Sequence, residues 1–307
     1  MAKFLIFTPS YDEKSGGVVV LHKLCHVLNE LGYSSYLFPY AYTYEINRFN
    51  FFKNVFNFLK WSVFTSIKGF KTNSNFKTPV YKGSIDNLDD FIVVYPEVVF
   101  GNPLRAKNVV RWLLHQPGFH EKRFYFSSGE LIFKFNSAIK DFSFPGSCTS
   151  PNELKVIHYP LEYYNLSNAS KNRSGYAYCI RKGKGKAFIK DHSGDILIDN
   201  LSHEEVSKIF KKVEFFVSYD TYTAYSIFAV LCGSKSIVIG DEGVSEVSWY
   251  PNQDDRHGLA YGFEKIKWAD DTKNLVLPHI QNEINKVSDS VNAFAKESID
   301  YFGLVKI

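Results

Sequence analysis

Apolar residues fall in short runs separated by polar, glycine-bearing turns, and that rhythm sets the expected elements. Lys3 to Thr8 (KFLIFT) is a continuous apolar run stopped by Pro9, the pattern of a strand buried on both faces. After a turn carrying Gly16-Gly17, Val20, Leu24, Val27, Leu28 and Leu31 recur at helical spacing, and Gly32 stands where it can close the helix. SSYLFP then reads as a second strand. Strand, glycine turn, helix, strand is a βαβ unit, whose right-handed crossover puts the turn at the carboxyl edge of a parallel sheet. FIVVY (91–95) and VVRWLL (109–114) read as further strands, the first running into Pro96-Glu97 and the second into His115-Gln116-Pro117-Gly118.

Residues 165–174 (NLSNASKNRS) are small, polar and without apolar periodicity, which reads as a linker between two lobes. The alternation then restarts. GYAYCI is a strand, followed by a basic glycine turn with Arg181, Lys182, Lys184 and Lys186; DILID is another strand. Ser202 and Glu205 form a capping box that opens the helix HEEVSKIFKKV. EFFVSYD predicts a strand, TYTAYSIFAVLC a helix stopped by Gly233, and SIVI a strand running into Asp241-Glu242-Gly243. A last helical stretch runs from Pro278 to near Tyr301. The expected organisation is an α/β protein with a first Rossmann-like lobe over 1–165, a second over 175–285 and a terminal helix over 286–307.

Composition narrows the class. At 307 residues, 45% hydrophobic and 22% charged, the chain is long enough for two cores and is not a disordered sequence. A net charge of +4 gives no footprint for a nucleic-acid partner. Cys25, Cys148, Cys179 and Cys232 are far apart and form no CxxC pair, so neither a zinc site nor a disulfide framework is expected. FLIF near the start is too short for a signal peptide or a span, and no later run reaches about eighteen uncharged apolar residues. A reducing cytoplasm is the expected location. The aromatic share, 17%, follows from an A+T-rich genome or from sites that stack sugars and bases.

Several turns carry candidate chemistry. Gly16 and Gly17 permit close backbone approach, and the helix behind them presents N–H groups to an anion; the alternative is a plain tight connection. Arg181, Lys184 and Lys186 cluster at a strand end, where cations neutralise a diphosphate and stabilise it as a leaving group; otherwise they form a solvated basic loop. Thr221, Tyr222 and Thr223 are expected at a helix N-terminus, which can hold a phosphate without a metal. No D-x-D motif or divalent-metal cage is found, so neither a metal nor a cofactor is expected.

The segment 200–241 resembles the donor-binding lobe of GT-B glycosyltransferases. The shared order is a short helix, a strand ending near serine, a loop, a helix ending in small residue–Gly, a strand and an acidic-glycine turn. The resemblance sets Ser218, Ala229, Gly233 and Asp241-Glu242-Gly243 at those positions. Many members use two glutamates eight residues apart on the donor sugar and ribose; the matching positions here are Asp220 and Phe228. Phe228 cannot bind a hydroxyl, which leaves Glu242 or Tyr225 for the ribose. YPEVVFGNPLRAKNVVRWLLHQPG and DEGVSEVSWYPNQDDRHGLAYG look like bacterial glycosyltransferases of surface-polysaccharide clusters.

The resemblance implies a GT-B-like fold with an interlobe cleft and a last helix returning to the first lobe. It also implies metal-independent transfer from a nucleotide-sugar donor to a polysaccharide, lipopolysaccharide or glycolipid acceptor. Glu97 and His115 would then stand at strand ends facing the cleft, either one as base toward the acceptor hydroxyl, with Asp12 a further candidate. The rival readings are a nucleotide-sugar epimerase, a non-catalytic donor-binding or scaffolding subunit, and a dehydrogenase, for which neither glycine turn has the spacing.

One stretch points to a partner. Residues 46–85 contain Arg48, Lys53, Lys60, Lys68, Lys71, Lys77 and Lys82 and no acid. Phe52, Val55, Phe56, Leu59, Val63 and Ile67 share one helical face, with Phe51, Phe58, Trp61 and Phe64 to spare. A basic amphipathic helix of this kind suits an anionic bilayer bearing a lipid-linked acceptor, or an aromatic-rich packed helix.

Overall fold

The apolar runs between the glycine turns are four to six residues long in the main, too short for helices, and the segments joining them are long enough to cross over a sheet. Each becomes a strand, and every ladder is parallel. The computed structural model describes residues 2–39, 52, 55, 56, 59, 69–119 and 124–305. The chain separates into two compact units, residues 1–158 with 286–307, and residues 159–285.

In the first unit, β1 (Lys3–Thr8), α1 (Gly16–Glu30) and β2 (Ser34–Pro39) form the expected βαβ start. Gly32 takes φ +88°, a conformation open to glycine, and the N–H of Tyr33 closes on the Leu28 carbonyl at 2.9 Å. β3 (Phe91–Pro96) and β4 (Asn108–Leu113) are buried at every position, as central parallel strands must be. β5 (Leu131–Lys134) and β6 (Cys148–Glu153) complete the sheet in the order β2-β1-β3-β4-β5-β6. These last two have no clear pattern in the sequence: β5 is four residues long, and β6 is a polar edge strand where Pro151 is tolerated.

The second unit holds β7 (Tyr176–Cys179), β8 (Ile196–Leu197), α2 (His203–Phe210), β9 (Phe215–Ser218), α3 (Tyr225–Leu231), β10 (Lys235–Val238), α4 (Glu246–Trp249), β11 (Leu259–Tyr261) and α5 (Ile266–Thr272). Its sheet runs β11-β10-β9-β7-β8. Counted from its own first strand, each sheet has the order 2-1-3-4-5, with β6 an addition to the first. Both units are thus parallel α/β layers, compatible with Rossmann-like lobes.

Helix ends follow their chemistry. Ser202 and Glu205 make both halves of the capping box on α2. α3, in contrast, opens at Tyr225 rather than at Thr221. Asp220 Oδ1 accepts the Tyr222 N–H at 3.3 Å and draws the backbone into a turn before a helix can start. Residues 165–174 are no free linker: they belong to the second unit, where Arg173 donates to the carbonyls of Phe210, Val213 and Cys232. The final helix, α6 (Val276–Tyr301), contributes its residues from 286 onward to the first unit. There Phe294 packs between Phe4 and Phe133.

Within the basic aromatic stretch, Phe52, Val55, Phe56 and Leu59 are helical and exposed, Phe52 by 84%. From residue 69 onward the chain packs on the first unit: Phe70 stacks on His22, Phe76 on His26, and Lys77 pairs with Glu30. Arg48, Phe51, Lys53, Phe58, Lys60, Trp61, Val63, Phe64, Ile67 and Lys68 lie outside the described residues. Among the described residues no helix is long and apolar enough to cross a membrane.

Candidate functional site

In sheets of this strand order, ligands bind beyond the carboxyl ends of the two strands where the order reverses, because the turns there diverge and open a crevice. The second unit reverses between β7 and β9. The turn after β7 is the basic glycine turn, and the turn after β9 carries Asp220 to Thr223.

Both turns are held tightly. The Asp199 carboxylate accepts the backbone N–H of Ile180 at 3.0 Å and of Arg181 at 2.9 Å. Arg181 has φ +42°, in the left-handed region that costs a non-glycine residue energy. Gly183 lies directly on the end of β9, where a Cβ would come 2.0 Å from the Tyr219 carbonyl oxygen, so only glycine fits. The Arg181 guanidinium faces the Tyr225 ring at 5.0 Å and has its Nε 3.9 Å from Asp220 Oδ2. Lys186 reaches across to three acceptors, Asp241 Oδ1, Thr221 Oγ1 and the Ile239 carbonyl, each at 2.7 Å.

Five of the expected donor-site residues therefore meet at one edge: Arg181, Lys186, Asp220, Thr221 and Tyr225. Tyr222 is half-buried beside them, against Tyr250, with its phenol pushed above the usual range by burial and by the Asp241 carboxylate. Lys184, Glu242 and Gly243 are exposed on the flanking turns. Thr223 stands just before the short α3, its hydroxyl accepting the Tyr225 N–H at 3.4 Å, so the site's backbone donors come from turns and not from a long helix. Phe228 is core: it stacks on Tyr164 at 4.2 Å and is 4% exposed.

The first unit reverses between β1 and β3. Asp12 is exposed in the turn after β1, its Oδ1 accepting the Lys14 N–H at 3.0 Å. Gly16 and Gly17 form the exposed start of α1; a Cβ on Gly16 would meet open space, and one on Gly17 only Leu114 at 3.6 Å. Glu97, buried at the end of β3, accepts the Leu114 N–H at 3.0 Å and so ties that turn to the end of β4. His115, the next residue, stacks on Phe119 at 3.8 Å, and its Nδ1 accepts the Gln116 N–H at 2.8 Å. With Nδ1 accepting, the neutral ring carries its proton on Nε2.

Three groups that hold these turns, one in the first unit and two in the second, were not foreseen. Arg111, a charge in the middle of the buried β4, forks onto Glu130 with two bonds of 2.8 Å and donates to the Val99 and Gly101 carbonyls at 2.8 Å, so it holds the turn that bears Glu97. His192 joins Asp195 (2.7 Å) to the Tyr219 hydroxyl (2.8 Å) and anchors the far side of the basic turn. Asp199 fixes its near side. An arginine inside an apolar strand, as in VVRWLL, is a legible signal, since a buried charge demands a partner; His192 and Asp199 leave none that spacing reveals. Among the described residues no three His, Cys, Asp or Glu side chains gather as a metal cage.

No family model matches this chain, and neither does any curated protein.

Proposed function

We propose that this protein is a metal-independent glycosyltransferase of the GT-B kind, moving a sugar from a nucleotide-sugar donor to a bacterial surface polysaccharide or glycolipid acceptor. The observation that carries the reading is the basic turn 181–186 laid along the strand-order reversal of the second unit, opposite Asp220 and Thr221. As the bond from sugar to diphosphate breaks, negative charge grows on the diphosphate, and Arg181 with Lys184 and Lys186 offsets it in the way a metal ion otherwise would. The repeated strand order supports two substrates, since each unit offers one reversal point. On the first unit, Glu97 is the better base toward an acceptor hydroxyl, and His115, a donor at Nε2, orients it. The exposed apolar residues of 52–59 and the basic charge around them support docking on an anionic membrane surface that carries the acceptor.

Calorimetry with a panel of nucleoside diphosphates tests the donor class. Replacing Arg181 by Ala is expected to weaken binding by roughly 1.5–3 kcal/mol, the range for a hydrogen bond to a charged group. Unchanged affinity removes the turn from the site. A second reading, a non-catalytic donor-binding subunit, is favoured by Phe228, which is core where the family has a ribose-binding acid. Transfer or hydrolysis of any nucleotide-sugar counts against it, and conversion of the donor alone into its epimer would mark an epimerase.

A further inference from the structure

An ammonium group has three N–H donors, and those of Lys186 are all engaged, by Asp241, Thr221 and Ile239. Two of these partners belong to the frame. The Ile239 carbonyl directly follows β10, and Thr221, 4% exposed, has its own carbonyl bonded by the Trp249 indole at 2.9 Å. Asp241 differs. It stands on the glycine turn beyond β10, its side chain is 37% exposed, and it is the one charged partner of the three. With Arg181 beside Asp220 and Lys186 on Asp241, each of these two cations already has a carboxylate at hand. A diphosphate arriving there meets paired cations rather than an open positive site.

We propose that Asp241 is a built-in competitor for the anion: its carboxylate holds the position on Lys186 that a phosphate oxygen takes, yields it on binding and reclaims it as the diphosphate leaves. The inference rests on the reading of the 181–186 turn as a diphosphate site. Exchange is favourable in that direction for two reasons. A diphosphate brings at least two negative charges to the cations where Asp241 brings one, and the displaced carboxylate returns to water from a position already one-third exposed. The same competition hastens departure, which matters because product release limits turnover in many transferring enzymes.

The test is calorimetry on the full chain with inorganic pyrophosphate, which carries the diphosphate charge without a base or sugar. Asp241→Asn is expected to bind it about fivefold more tightly than the unaltered protein, the upper end for one partly exposed ion pair. Lys186→Met should weaken binding, and in its background Asp241→Asn should change nothing further. Glu204→Gln, which removes an exposed acid on α2 paired with Lys208, controls for net charge and should leave affinity unchanged. Asp241→Ser is the second variant, with melting curves showing that each protein is folded. Affinity that is unaltered or lower in both Asp241 variants overturns the competitor role while the diphosphate site stands, as does a gain that persists without Lys186. If neither the unaltered protein nor the Asp241 variants take up pyrophosphate, the diphosphate reading itself fails and the competitor role with it.

Discussion

Single residues decide the shape of the second unit's edge, and Gly183 is the sharpest case. A methyl group there would meet the Tyr219 carbonyl carbon at 2.4 Å and its oxygen at 2.0 Å, both backbone atoms at the end of a central strand. Neither can give way without moving β9. Gly183→Ala is therefore expected to lower stability by roughly 1–3 kcal/mol, the cost of overpacking, and to weaken nucleoside diphosphate binding as the turn lifts. Gly16→Ala is the contrasting change. It adds a methyl group facing open space at the start of α1 and should not destabilise the protein. Denaturant titration of the two variants separates these outcomes; equal stabilities would mean that the close approach at Gly183 is not limiting. The buried Arg111 works on the same scale in the other unit, where its fully bonded guanidinium spans the turn from Pro96 to Gly101.

Among elements, legibility tracked burial. β1, β3, β4 and β9 are largely apolar runs, β4 broken by Arg111, because parallel strands bury both faces, and the sequence pattern locates each within a residue or two. β6 is an edge strand with little to bury, so its residues carry little apolar signal, whereas β8, the edge strand read from DILID, is only Ile196–Leu197. The start of α3 was misread for a local reason: the apolar periodicity of TYTAYSIFAVLC is genuine, but the Asp220 side chain takes the turn's first N–H. The candidate site was legible as residue types at strand ends. Its ion pairing was not, because the pairing of Lys186 with Asp241 joins residues 55 apart in the sequence.

The basic aromatic stretch makes its own prediction at this scale. Phe52, Phe56 and Leu59 are exposed by 84, 67 and 55%, more apolar surface than water favours on one element. The protein is expected to bind anionic vesicles above neutral ones, with about 1 kcal/mol per basic residue near the surface and a decline with added salt. Changing Lys53, Lys60 and Lys68 to Ser should weaken vesicle binding and spare nucleotide binding. Trp61 fluorescence should shift on binding to unaltered protein. Indifference to anionic vesicles at low salt makes the stretch an ordinary packed element.

On the scale of the whole molecule, one topology is used twice, and the proposed transfer assigns to the cations of the second sheet's edge the part a metal would otherwise play. Sugar transfer is accordingly expected to persist in excess EDTA; loss of turnover on chelation, restored by magnesium or manganese, overturns that mechanism. The terminal helix bears on how the molecule comes into being. Phe294 fills the space between Phe4 and Phe133, Asn292 accepts the Tyr33 hydroxyl at 2.8 Å, and Ser290 accepts the Lys155 N–H at 3.3 Å. The first sheet is therefore translated first but sealed last. While the ribosome is still building residues 159–285, Phe4 and Phe133 lack their partner, and the nascent first unit carries an uncovered aromatic seam. That seam is where a chaperone, or another nascent chain, would meet this protein before it is finished.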